Sequence, residues 1–142
     1  PAIKAAQYYR LASLMEPDWV PAMVAQVKRQ KWFRWHDAGD IQSAKHLTNI
    51  FEVCSKTPAT RHWLPTREAK FLKFIDPDII PANLIIRLSG HMVDGKNATW
   101  WPWTSAVSSK TKTCPAKDQG NQCKSCRACW NREVPSVTYP KH

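Results

Sequence analysis

Apolar positions along the chain recur first at helical spacing, then in short continuous runs, then at helical spacing again, and this switching of period organises everything up to residue 89. Residues 5–15 and 19–30 read as two helices, with Asp18 placed to cap the second and Pro21 tolerated in its first turn. Residues 31–36, Lys-Trp-Phe-Arg-Trp-His, are short, aromatic and followed by Asp37-Ala38-Gly39-Asp40, which predicts a strand running into a turn. A helix over residues 43–55 puts Leu47, Ile50, Phe51 and Cys54 on one face. The unit then repeats. A strand over 60–64 stops at Pro65-Thr66-Arg67-Glu68, a short helix covers 69–75, and a Pro-punctuated link leads into Leu84-Ile85-Ile86-Arg87-Leu88, the most strand-like run in the chain. Beyond Ser89 the pattern weakens.

Strands alternating with helices predict βαβ units in an α/β fold with three or four parallel strands. At 142 residues the chain makes one domain, 1–142, with residues 114–142 as an irregular tail. In parallel sheets, ligands gather outside the carboxyl ends of the strands. Three polar loops are expected to meet there. The first brings Trp35, His36, Asp37, Gly39 and Asp40, the second Thr66, Arg67 and Glu68, and the third Ser89, Gly90 and His91. Such a rim could position a polar ligand or move protons, although loops are polar in any case and Asp40 could simply cap the next helix. It contains no nucleophile–base pair.

Charge widens the range of partners. The 21 Lys and Arg outnumber the 11 Asp and Glu for a net +10, which favours an anionic partner such as nucleic acid, or offsets an anionic centre inside the protein. Lys4, Arg10, Lys28, Arg29 and Lys31 make the N-terminal region basic, as a solvated helix face often is. Eight tryptophans exceed what packing alone usually needs, so some are expected to line a site. The run Thr99-Trp100-Trp101-Pro102-Trp103-Thr104 could stack on bases, cover a cluster or plug a barrel end. No run reaches the roughly 18 apolar residues of a membrane span and no signal peptide opens the chain, so a cytoplasmic protein without membrane contact is expected. The chain opens at Pro1, which points either to a removed initiator Met or to a preceding segment.

The strongest chemical signal lies in the tail. Cys114, Cys123, Cys126 and Cys129 form a C-x8-C-x2-C-x2-C array, and in a reducing compartment such a cluster binds metal before it forms disulfides. Three thiols at equal spacing suit the several iron corners of a 4Fe-4S cluster, and Cys114-Pro115 supplies the remote Cys-Pro known from bacterial ferredoxins, here on the other side. Zinc, the alternative, more often takes two separated C-x2-C or C-x2-H knuckles. Lys124 and Arg127 lie between the thiols, where they could stabilise an anionic cluster or face a phosphate. Cys54, on the apolar face of a helix, reads as a small core residue.

Several ordered blocks resemble the phage gene-product-88-like family. They are Phe33-Arg34-Trp35-His36-Asp37-Ala38-Gly39-Asp40, Trp63-Leu64-Pro65-Thr66-Arg67-Glu68, Ile86-Arg87-Leu88-Ser89, His91-Met92-Val93-Asp94-Gly95, Arg127-Ala128-Cys129-Trp130 and Tyr139-Pro140-Lys141-His142. The resemblance spans nearly the whole chain. It implies a distant, abbreviated relative of the radical S-adenosylmethionine barrels: a partial parallel (β/α) barrel-like sheet carrying an iron–sulfur cluster, in the host cytoplasm. Asp37, Gly39 and Asp40 would stand where those enzymes hold the cofactor's amino acid end. The family pattern also carries an upstream cysteine segment that does not occur here, and the C-x3-C-x2-C loop of the radical enzymes is absent. Four cysteines in one tail would close the cluster, favouring electron transfer, sensing or structure. A matched terminal block suggests that Tyr139, Lys141 and His142 pack back towards the rim.

Three functions therefore stand. The first is a small 4Fe-4S protein with a redox, regulatory or structural role and a redox partner or host protein to match. The second is a zinc-stabilised basic module that binds nucleic acid, and the third is an enzyme acting on a small ligand at the rim.

Overall fold

A computed structural model describes residues 2–141. Helix α1 (Ala2–Ser13) leads to α2 (Trp19–Val27), strand β1 (Trp32–Arg34), α3 (Ala44–Lys56) and β2 (Arg61–Thr66). The short α4 (Ala69–Leu72) precedes β3 (Leu84–Ser89), after which β4 (Thr104–Ser108) and β5 (Ser136–Pro140) follow with only 3-10 turns between them. Among the described residues the strands form one sheet in the order β1-β2-β3-β4-β5, every pair parallel, curled into half a barrel. The α/β class and the barrel-like sheet are as the sequence implies. The strand number is five instead of three or four, and the tail is not irregular throughout, because residues 136–140 pair with β4 along its whole length.

Alternation sorts the side chains. His62, Leu64 and Thr66 of β2 stand in register with Leu84, Ile86 and Leu88 of β3 on the face that α2 and α3 cover. Helix α3 forms as expected from its spacing: Ser43 Oγ accepts from His46 N at 3.0 Å, and Leu47, Ile50, Val53 and Cys54 are all at most 1% exposed. Each such aliphatic side chain contributes roughly 1.5–3 kcal/mol by burial. Asp18, by contrast, makes no capping bond to α2. Asn83 fastens α3 to β3, its amide reaching the carbonyls of Cys54, Thr57 and Thr60 at 2.9–3.0 Å.

The other face is concave and carries Trp63, Pro65, Ile85, Arg87 and Ser89, continued by Ser105, Val137 and Tyr139 through the β3–β4 and β4–β5 registers. Among the described residues no α-helix covers it; the cysteine segment does, through the 3-10 turn at Ala128–Trp130. Trp130 packs edge-on to Trp63 and Trp32, with ring centroids 5.2 and 5.7 Å away. Trp101 and Trp103 are buried and send their indole N–H groups to the carbonyls of Ile86 and Arg132. Of the aromatic run, Trp100 is half exposed.

Two buried histidines report on this core. Thr57 gives its hydroxyl proton to Val53 O at 2.8 Å, so the 2.9 Å contact with His62 needs Nε2–H as the donor and leaves Nδ1 without a partner. Burial lowers His62 to about 4, and burial with the neighbouring His36 lowers His46 to about 4, both from 6.5. The folded chain therefore resists protons that the unfolded chain accepts between those values, and stability falls as pH drops from about 6.5 towards 4. A loss of order 2 kcal/mol per histidine is expected in urea titrations across that range, with His62→Gln losing less than the parent. A flat profile in the parent would show that neither ring is held neutral.

Candidate functional site

The tail is organised by one cation. Arg87 is fully buried in the middle of β3, and its guanidinium donates to the carbonyls of Cys129, Ala128, Asn131 and Val134 at 2.8–3.0 Å and of Thr104 and Pro135 at 3.2–3.5 Å. Five N–H groups thus serve six oxygens, one in β4 and five in the irregular segment 128–135, of which the Cys129 and Val134 carbonyls have no backbone donor. Among the described residues no carboxylate pairs with it, and burial pulls its pKa down against the pull of Cys129 and Tyr139.

This grip brings the cysteines together. Cys114 is placed by its own N–H on Thr138 O at 3.0 Å, Cys129 by Arg87, and Cys126 by a turn back to Cys123 O at 2.8 Å. All four thiols line one cavity of about 10 Å³, shared with Pro115, Ala116, Ala128, Trp130 and Val137. Cys129 Sγ lies 3.1 Å from Tyr139 Oη. Burial raises the Cys129 thiol, while the Tyr139 hydroxyl and Arg87 pull it down; Tyr139 is itself raised, first by burial and then by Cys129. Cys54, apart from these, is fully buried with its thiol pushed up by burial, as a core residue is.

The convergence has a limit. Among the described residues no three His, Cys, Asp or Glu side chains are gathered on a common point as ligands of a single ion. A zinc tetrahedron with bonds of about 2.3 Å needs its sulfurs about 3.8 Å apart around one centre, whereas a cubane spreads them over separate irons. The gap holds about one water-sized sphere. Any larger centre takes its room from residues 121–126, which carry Cys123 and Cys126 and keep their hydrogen bonds among residues 116–127. Arg127, stacked over Trp32 at 5.2 Å, is the one fixed charge beside them; Lys124 is exposed with positive φ.

The strand-end rim is divided. Asp40 accepts from Ile41 N, Thr66 Oγ1 and Arg67 N at 2.5–2.7 Å, which commits its carboxylate to joining the β1 loop to the end of β2. Asp37 is exposed beside Arg34, Glu68 pairs with Lys70, and Arg67 and His91 face solvent. His36 alone turns inwards. Its φ of +54° is rare for a side chain of its size, neither ring nitrogen has a partner among the described residues, and burial lowers its pKa despite Asp40. With His46 at 5.4 Å it lines a cleft of about 440 Å³ between α1, α2 and β1. His36 shares this cleft with Trp35, Gly39 and Asp40 of its own loop and with Trp19, Met23 and α1, while Arg67, Glu68 and His91 do not line it. His142 lies outside the described residues, while Tyr139 lies against Cys129 and lines one cavity with Ser89 of the third rim loop. No described helix is long and apolar enough to cross a membrane.

Arg87→Lys keeps the charge but loses the fork that reaches oxygens on several sides. It is expected to lower stability by about 2–4 kcal/mol in urea titration and to open residues 110–127 to trypsin while β1–β3 stay protected. Uniform cleavage, or none, would contradict the cage.

A family model described as gene product 88 matches residues 1–132, which takes in Arg87 and all four tail cysteines. No curated protein and no solved structure matches the chain.

Proposed function

The chain belongs to the gene product 88 family, and we propose that it is a small metal–thiolate protein in which Cys114, Cys123, Cys126 and Cys129 hold a 4Fe-4S cluster. The observation that carries this reading is the meeting of four distant thiols at one cavity beside a buried guanidinium that lacks a carboxylate. A buried cation is costly without an opposite charge nearby. Four thiolates on a metal centre supply one, and Arg87 in turn favours the thiolate form of Cys129. The donor set fits: soft sulfur ligands, a hydroxyl at 3.1 Å from one of them, and apolar walls from Trp130 and Val137.

When bound, such a cluster supplies one-electron exchange and a cross-link between residues far apart in the tail. This chain's own residues do the rest. Tyr139 orients Cys129, Arg127 holds the Cys126 carbonyl, and Trp130 shields the thiols from the Trp63 side. With all four of these cysteines in one segment, a closed site is expected, and its role is redox, regulatory or structural in the reducing cytoplasm of a host cell. Zinc is the second reading, favoured by the small gap between the thiols. Base stacking by residues 99–104 loses support because two of the three indoles are buried.

Anaerobic purification with metal and sulfide analysis separates these readings. A brown protein with about four iron and four sulfide per chain is expected, with Cys126→Ala losing most of both and Cys54→Ser losing neither. A colourless protein with one zinc per chain would replace the cluster by the second reading, and a metal-free folded chain would overturn both.

A further inference from the structure

The cleft between α1, α2 and β1 is remote in composition from the cysteine site and serves no packing purpose that the fold explains. Helix α1 has no buried residue at all, yet its Gln7, Arg10 and Leu11, with Leu14 just beyond its end, form one wall. Leucines facing tryptophans across an open gap are exposed apolar surface that a globular chain normally closes. The floor is aromatic: Trp19 lies nearly parallel to Trp35 at 6.3 Å, and Phe33 stands edge-on to Trp35 at 5.1 Å. Flat walls of this kind select a planar ring system. At about 440 Å³ the space falls within the roughly 300–1,000 Å³ of small-molecule sites.

Its polar groups are few and specific. His36 has one N–H and one bare nitrogen, both unpartnered among the described residues; the two diverge around the ring, so one of them meets a single acceptor or donor on a ligand. Gln42 gives its amide N–H to Asp40 O and keeps its side-chain oxygen for another donor. Asp40, the one carboxylate in the lining, already accepts three hydrogen bonds, and Arg10 on exposed α1 is the one cation. An aromatic floor, one unpaired imidazole, a free amide oxygen and a cation on α1 suit a ligand with a flat nitrogenous ring at one end and an anion at the other.

We propose that this cleft binds a nucleotide, with the base against Trp19, one hydrogen bond from its edge to His36, and the phosphate at Arg10. The site is independent of the metal reading. Binding covers Leu11 and Leu14 and so holds α1 against the sheet.

Calorimetric titration of the full chain with AMP, adenosine and ribose 5-phosphate tests it. AMP is expected to bind about tenfold tighter than adenosine, ribose 5-phosphate not detectably, and Arg10→Gln to remove the difference between AMP and adenosine. His36→Ala, checked for folding by circular dichroism, is expected to weaken both by about tenfold. Cys126→Ala binds AMP as the parent does, so loss of the cluster and loss of this site are told apart. The proposal is overturned if none of AMP, GMP, CMP and UMP binds at millimolar concentration, or if binding persists unchanged in both variants.

Discussion

A guanidinium buried among main-chain oxygens is the interaction on which the second half of this fold depends. Among the described residues strands β4 and β5 have no covering α-helix on the concave face, and the segment that lies there is turns, in which the Cys129 and Val134 carbonyls have no backbone donor. Arg87 satisfies them from the centre of the sheet, where apolar side chains would satisfy none. The register of the cysteines follows from that grip, because Cys129 and Ala128 are held through their own carbonyls.

The same solution recurs. Arg132 donates to the carbonyls of Ile80, Pro81 and Leu84 and stacks over Trp103 at 4.9 Å, and Trp101, Trp103 and Trp130 each send an indole N–H to a backbone oxygen. Part of what composition suggests as nucleic-acid affinity, excess arginine and tryptophan, is thereby absorbed as donors for irregular backbone. Charge counted on a sequence does not distinguish a solvated cation from one that is holding the chain together.

The first half of the fold was legible because its signals are local. Helix α3 shows its face in Leu47, Ile50 and Cys54, and β2 and β3 are short apolar runs between turn residues. Strands β4 and β5 are rich in Ser and Thr, and their pairing is fixed by distant partners, so periodicity missed them. Arg87 was in plain view: a polar residue inside a run apolar at both parities belongs to a strand covered on both faces and must be buried. The cysteine spacing announced a shared site, but Cys114 arrives there through its bond to Thr138, which no spacing contains. At the rim, the chemistry of His36 and Asp40 was visible while their opposite duties were not, because the donors that occupy Asp40 come from the neighbouring strand.

The carbonyls held by Arg87 in residues 128–135 lie 41–48 positions further along the chain. Synthesis runs from the N-terminus, so β1, β2, β3 and their helices are complete while those oxygens have yet to be made. Through that interval the arginine stays hydrated and the concave face stays open. Assembly of this molecule therefore ends with a single late loop closure that dehydrates a charge, and a ribosome stalled before residue 128 would display a half-built sheet with one basic group at its centre.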